Sequence, residues 1–250
     1  MGSAWGGNAN SYWKTYIEWS VNNGYSATQA SVTVTLYMYF MKAESDGADM
    51  SYNSTSYVYA DGQSSGISSS WNHAPSAGQY VNLGSRTFYV NKTHSAHTIT
   101  IQGVLGRTAG RSNLRGSSTA TGYDTVSAKT SYSVSYNANG GSGTIANSTK
   151  WYDENLTLSD GTGFTWSHHT QTGWNTAANG SGTHYDLGDT YTANAGVLLY
   201  AEWQLNAVTT KGKVSGAWKS GILYAKVNGS WVIPYKGYGK VNGTWKEFKE

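Results

Sequence analysis

Gly62-Gln63-Ser64-Ser65-Gly66 meets the letters of the G-x-S-x-G nucleophile elbow, in which a strand delivers a serine to a sharp turn ahead of a helix. The residues that follow, Ile67-Ser68-Ser69-Ser70-Trp71, carry no helix signal, so the stretch reads as a Ser/Gly loop. The histidines group locally only as His94/His97 and His168/His169. On a strand, both spacings send the two rings to opposite faces, and no convergent zinc site results. A glycosidase pair can meet from distant positions. Here Asp46/Asp49, Asp153/Glu154 and Asp186/Asp189 all fall in Gly- or Asn-rich turns, where Asp accepts hydrogen bonds from backbone amides. No loop follows the EF-hand calcium pattern. With no cysteine there is no thiolate, disulfide or Cys-ligated metal. The expectation is a non-enzyme with no catalytic residues, no cofactor and no metal.

Recognition chemistry is better represented. Gly106 to Gly116 places Arg107, Arg111 and Arg115 four apart between glycines. A loop carrying three guanidinium groups suits the phosphates of an anionic cell-wall polymer, against the alternative of a solvated loop. Aromatic rings beside amides or carboxylates suit sugars, because a ring covers the apolar C–H face of a hexose while polar neighbours bind its hydroxyls. Trp71-Asn72-His73, Trp174-Asn175, Tyr185-Asp186 and Trp218, Trp231 and Trp245 have this character. For Trp174 and Trp203 a core role is the preferred reading.

The three C-terminal tryptophans close three copies of one phrase: Lys213-Val-Ser-Gly-Ala-Trp218, Lys226-Val-Asn-Gly-Ser-Trp231 and Lys240-Val-Asn-Gly-Thr-Trp245. Asn-Gly between alternating residues is a strong hairpin signal, so each phrase is expected to be one hairpin. Two strands alone are marginal in water, so the hairpins need partners. The rest of the chain has the same vocabulary: 20 Tyr, 11 Trp, 31 Gly and only 2 Pro, with Ser, Thr and Asn in between. Aromatic and β-branched residues suit pleated sheets, and Gly, Asn and Ser suit their turns. Ser31-Val-Thr-Val-Thr-Leu-Tyr-Met-Tyr-Phe40 alternates at period two and becomes apolar on both faces towards its end. The segments 57–59, 86–90 and 97–101 are further strands. The expected fold is therefore all-β: a jelly-roll or immunoglobulin-like β-sandwich over 1–128, a small β module over 129–205, and hairpin repeats over 206–250.

A net charge of +3 gives no basic stripe for nucleic acid. No apolar run is long enough to span a membrane. The N-terminus, Met1-Gly-Ser-Ala-Trp5, has no secretory signal pattern, although the composition suits an extracellular protein. Two answers reconcile these: an export signal trimmed from the sequence, or release by lysis, as for virion components.

The order Tyr132-x-Val-x-Tyr-x-Ala-Asn-Gly-Gly141, Phe164, Gly173-Trp-Asn-Thr176, Gly180-Ser-Gly-Thr-x-Tyr185 and Leu199-Tyr-Ala-x-Trp203 resembles the internalin B-repeat family of bacterial and phage surface modules. The resemblance implies a β-grasp-like fold over about 70 residues. The segment Thr165 to Thr172 is longer than the usual link. The N-terminal block, through Trp5-Gly-Gly-Asn8, Ile17-Glu-Trp-Ser20 and Thr98-Ile-Thr-Ile-x-Gly103, resembles more loosely the leading domain of structural proteins from phages of Gram-positive bacteria. Together they imply a virion protein, a tail or fibre component that contacts host polysaccharide or teichoic acid beside other virion proteins, extracellular after host lysis. A homotrimer would let the C-terminal hairpins pack on one another. The alternatives are a head fibre or capsid decoration protein, and a bacterial surface adhesin or cell-wall-binding module.

Overall fold

The computed structural model describes residues 1–9, 11–43, 56–68, 76–107 and 116–207; for Arg107 and for six strands between 209 and 247 it describes the backbone alone. Two units are present, Met1–Thr130 and Ser131–Glu250. Trp71, Asn72, His73, Arg111, Arg115, Asp46 and Asp49 lie outside the described residues.

The first unit is built from β1 (Gly2–Asn8), β2 (Trp13–Asn22), β3 (Gln29–Phe40), β4 (Ser56–Ala60), β5 (Gln63–Ile67), β6 (Tyr80–Asn91), β7 (His97–Arg107) and β8 (Gly116–Val126). Their hydrogen-bonded order is β5-β4-β7-β8-β1-β2-β3-β6. Strand β1 is the seam: it pairs with β2 from Gly2 to Trp5, then turns to pair with β8 at Gly6. The sheet thereby folds over into two layers, and at its far end Ile67 of β5 lies beside Gly84 of β6. The result is a β-sandwich, closed along one side by a shared strand.

Period-two patterning builds the core. Ala30, Val32, Val34, Leu36, Met38 and Phe40 are fully buried while their neighbours along β3 are not. Burying each of the larger aliphatic side chains contributes about 1.5–3 kcal/mol. Opposite them lie Val58, Ala60, Ile99, Ile101 and Leu105, with Trp13, Ile17 and Trp19 from β2 in the same cluster. Two glycines make room for this filling. A Cβ on Gly122 would overlap the Trp19 ring, and one on Gly103 would overlap Ile17 and Leu36. At the seam, the Thr15 hydroxyl donates to Ser118 O (3.0 Å) and the Ser118 hydroxyl donates to Gly7 O (2.5 Å). Both side chains are buried, and these bonds satisfy polar groups that would otherwise be costly there.

The second unit begins with β9 (Ser131–Asn137), β10 (Ser142–Gly143), β11 (Ser148–Trp151), β12 (Leu156–Thr157), β13 (Phe164–Thr165), β14 (His169–Asn175), β15 (His184–Tyr185), β16 (Thr190–Tyr191) and β17 (Val197–Leu205). Five strands form a sheet in the order β11-β9-β17-β14-β15. Its central pair, β9 and β17, is parallel, and the remaining pairs are antiparallel. First and last strands side by side and parallel is the β-grasp arrangement; among the described residues no helix crosses it. Val134, Leu158, Phe164, Trp174, Tyr191, Leu199 and Ala201 form its core. The long Thr165–Thr172 segment is resolved as a tight turn into β14, with His169 N–H bonded to Trp166 O at 3.0 Å and His168 at φ 59°. His168 is thus a turn residue, and the strand argument for the 168/169 pair applies to His169 alone.

The C-terminal phrases are three separate two-stranded ladders: β18 (Thr209–Val214) with β19 (Ala217–Ile222), β20 (Ala225–Val227) with β21 (Ser230–Val232), and β22 (Tyr238–Val241) with β23 (Thr244–Glu247). In each, the Val before the two-residue connection pairs with the residue after it. Each tryptophan is in register with the lysine of its own phrase: Trp218 with Lys213, Trp231 with Lys226 and Trp245 with Lys240.

Candidate functional site

The alternation that buries one face of β3 turns Thr33, Thr35, Tyr37 and Tyr39 outward. Strand pairing then decides what stands beside them. Tyr16 is in register with Trp5 on one side and Tyr37 on the other, and Tyr39 with Lys14 and Tyr80. Four strands so bring five aromatic rings together on the outer face of one layer. Trp5 lies 4.5 Å from Tyr16 and 5.0 Å, edge-on, from Tyr39; Tyr80 lies 4.9 Å from Tyr39 and 5.3 Å from Tyr16. These are the tilted and edge-on geometries that the ring quadrupoles favour. The Lys14 ammonium sits 4.0 Å from the Trp5 ring centroid, a cation–π contact. Trp5 is 44% exposed and Tyr80 46%, and neither belongs to the core of the described residues.

A polar floor adjoins this cluster. Glu18 accepts hydrogen bonds from the Tyr16 and Tyr37 hydroxyls, one on each carboxylate oxygen, both at 3.0 Å. Each oxygen keeps a free lone pair for a further donor. Beside it is a hollow of about 110 Å³ lined by Met1, Glu18, Trp19, Ser20, Thr33 and Thr35. Hydroxyl pairs continue across the face, Thr35 with Ser85 at 2.8 Å and Thr33 with Thr87 at 2.9 Å. Burial foremost, then Glu18, holds the Tyr37 pKa above the ordinary phenol value, and burial with the neighbouring tyrosines does the same for Tyr80. A carboxylate, hydroxyl donors and acceptors, and a cluster of tilted rings on one exposed sheet face are elements of saccharide recognition.

The second unit has an open groove of about 530 Å³ with Trp166, Trp203, Glu202 and Asn139 in its lining. Trp166 stacks on His169 with centroids 4.0 Å apart. At its edge Glu202 is held by two neighbours: the Asn175 amide donates to it at 2.8 Å and the His184 ring bonds its other oxygen. His184 also faces Asp186 at 3.3 Å. These partners, Glu202 first, raise the His184 pKa above its ordinary value.

The sequence-derived candidates fall elsewhere or differently. Trp174 is buried, with its indole N–H on Ser159 O at 2.8 Å, and Asn175 is buried beside it; both side chains belong to the interior of the second unit. Trp203 packs half-buried against the same core. Ser64 lies inside β5 in register with Tyr59, not on a strand-to-helix turn. Asp186 and Asp189 bound a turn, Asp189 N–H bonding Asp186 O at 3.1 Å. Arg107 ends β7 in register with Gly116; Arg111 and Arg115 lie outside the described residues. So do Trp71, Asn72 and the side chains of Trp218, Trp231 and Trp245. Sequence reasoning missed the cluster of Trp5, Tyr16, Tyr37, Tyr39 and Tyr80. The signal was in 31–40: once Val, Leu, Met and Phe claim one face, Tyr37 and Tyr39 must share the other.

Residues 132–202 match the family model of the Listeria-Bacteroides repeat domain, a bacterial surface repeat. No curated protein and no solved structure matches the chain.

Proposed function

We propose that the protein is a non-catalytic surface-attachment protein, which holds a cell-wall glycan on the aromatic face of its first unit. One observation carries this: Trp5, Tyr16, Tyr37, Tyr39 and Tyr80 meet on an outer sheet face beside the Glu18 carboxylate and a threonine-lined hollow. A pyranose laid on the rings buries its C–H face, and its hydroxyls reach Glu18 and the threonines. The surface repeat at 132–202 supports a setting outside a cell. The resemblance of the N-terminal block to phage structural domains favours a virion, with the protein as a tail or fibre component, assembled as a homotrimer beside other virion proteins and presenting its glycan site to a Gram-positive host.

A second reading has its own support. The matched repeat is a bacterial surface repeat, which suits an adhesin displayed by the bacterium itself. Both readings require the same site. The test is binding of labelled full-length protein to intact Gram-positive cells and to their purified wall polysaccharide, beside a Trp5→Ala/Tyr80→Ala variant and a Trp218→Ala/Trp231→Ala/Trp245→Ala variant. Selective binding that the first variant loses, with its thermal unfolding unchanged, is expected. Binding that survives it, or is lost only in the second variant, moves the site to the C-terminal hairpins. Binding to no cell or polymer favours a head-fibre or decoration role.

A further inference from the structure

Lys150 is the only acidic or basic side chain that is buried among the described residues, at 1% exposure. An ammonium in such a place is costly unless it is paired. Its Nζ rests on two carbonyl oxygens, Trp151 O at 2.8 Å and the side-chain Oδ1 of Asn194 at 3.1 Å. Asn194 is held in turn by Asp153. The Asp153 backbone N–H donates to the same Oδ1 at 2.8 Å, and the Asn194 amide Nδ2 donates to Asp153 Oδ1 at 2.8 Å. The two bonds from one residue fix which end of the amide is oxygen. Asp153 manages both because its φ of 54° turns its N–H and its carboxylate towards the same group, a conformation Asp tolerates better than most residues.

We propose that this triad is the site of an intramolecular amide cross-link between Lys150 and Asn194. The parts correspond to an acyl transfer. Nζ is held at the carbonyl group by its hydrogen bond to Oδ1, so the reaction is unimolecular and favoured by proximity. The Asp153 N–H polarises the carbonyl as an oxyanion-hole donor does. The Asp153 carboxylate holds the leaving nitrogen and relays protons to it. A bond forms from Nζ to the Asn194 side-chain carbonyl carbon, and the bond from that carbon to Nδ2 breaks. Nζ first gives one proton to solvent, since only the free amine has a lone pair to attack with; of the two protons left, one stays in the new amide and the other passes to Nδ2, which departs as ammonia. Nothing is oxidised or reduced, and no co-reactant is needed.

The cross-link joins edge strand β11 to the connection between β16 and β17, closing a loop of 44 residues. Constraining so long a loop raises the cost of unfolding much as a disulfide does, in a chain that has no cysteine.

Intact-mass measurement of the full-length protein, held for days in neutral buffer, tests the proposal. The expected result is a species lighter than the sequence by one ammonia, which on proteolysis gives a branched peptide joining the Lys150 and Asn194 segments. Lys150→Arg and Asn194→Ala should each keep the full mass apart from the substitution and unfold on the order of 10 °C lower. A wild-type chain of unreduced mass overturns the proposal. So does an ammonia loss that maps to a succinimide-prone Asn-Gly pair, at Asn23, Asn139, Asn179, Asn228 or Asn242, and gives way to an aspartyl residue by uptake of water in mild base. Because the readout is the wild-type mass, it stands even if a variant fails to fold.

Discussion

Trp5 is held by Tyr16 and Tyr39 from two further strands and by the Lys14 ammonium over its ring, yet it belongs to no core. Substitution should therefore separate binding from stability. Trp5→Ala is expected to weaken glycan binding about tenfold, a loss of ~1.4 kcal/mol, while stability changes by under ~1 kcal/mol; titration calorimetry and thermal unfolding of the same samples check both halves. Glu18→Gln keeps the shape but removes the charge that accepts the Tyr16 and Tyr37 hydroxyl bonds. Charge-assisted hydrogen bonds are about twice as strong as neutral ones, so affinity for a neutral polysaccharide should fall several-fold.

At the scale of strands, His184 on β15 reaches past β14 to Glu202 on β17. Its pKa is raised in the folded protein, so its contribution is complete below the ordinary histidine value of about 6.5 and is lost as pH rises through the higher folded value. His184→Gln should lower the melting temperature of the second unit most near pH ~5.5 and least above pH ~8, measured by calorimetry across that range. A gap that widens with rising pH contradicts the assigned pair. Packing between layers sets another limit. Gly122 faces the Trp19 ring and Gly103 faces Ile17 and Leu36, so Gly103→Val overfills the sandwich and should cost about 1–3 kcal/mol or more in chemical denaturation.

Among the described residues there are two cores, one around Trp13, Leu36 and Ile101 and one around Trp174 and Leu199. Calorimetry should accordingly resolve two transitions. Trp13→Ala should move one of them and Trp174→Ala the other, each by about 3–5 kcal/mol, since both side chains are fully buried. A single transition shifted equally by both substitutions would show one cooperative unit. At this scale the sequence determined the all-β class, the hairpin phrases and the alternation of β3. Those follow from side-chain type and from period-two or Asn-Gly patterns, which are local properties of the chain. It did not determine the aromatic face or the Lys150–Asn194–Asp153 group. Trp5 meets Tyr80 only because β1, β2, β3 and β6 pair in one register, and Lys150 meets Asn194 across 44 residues only because the chain returns to β11 after crossing the sheet. Contacts between distant residues depend on strand order and register, which are fixed when the apolar faces close on each other.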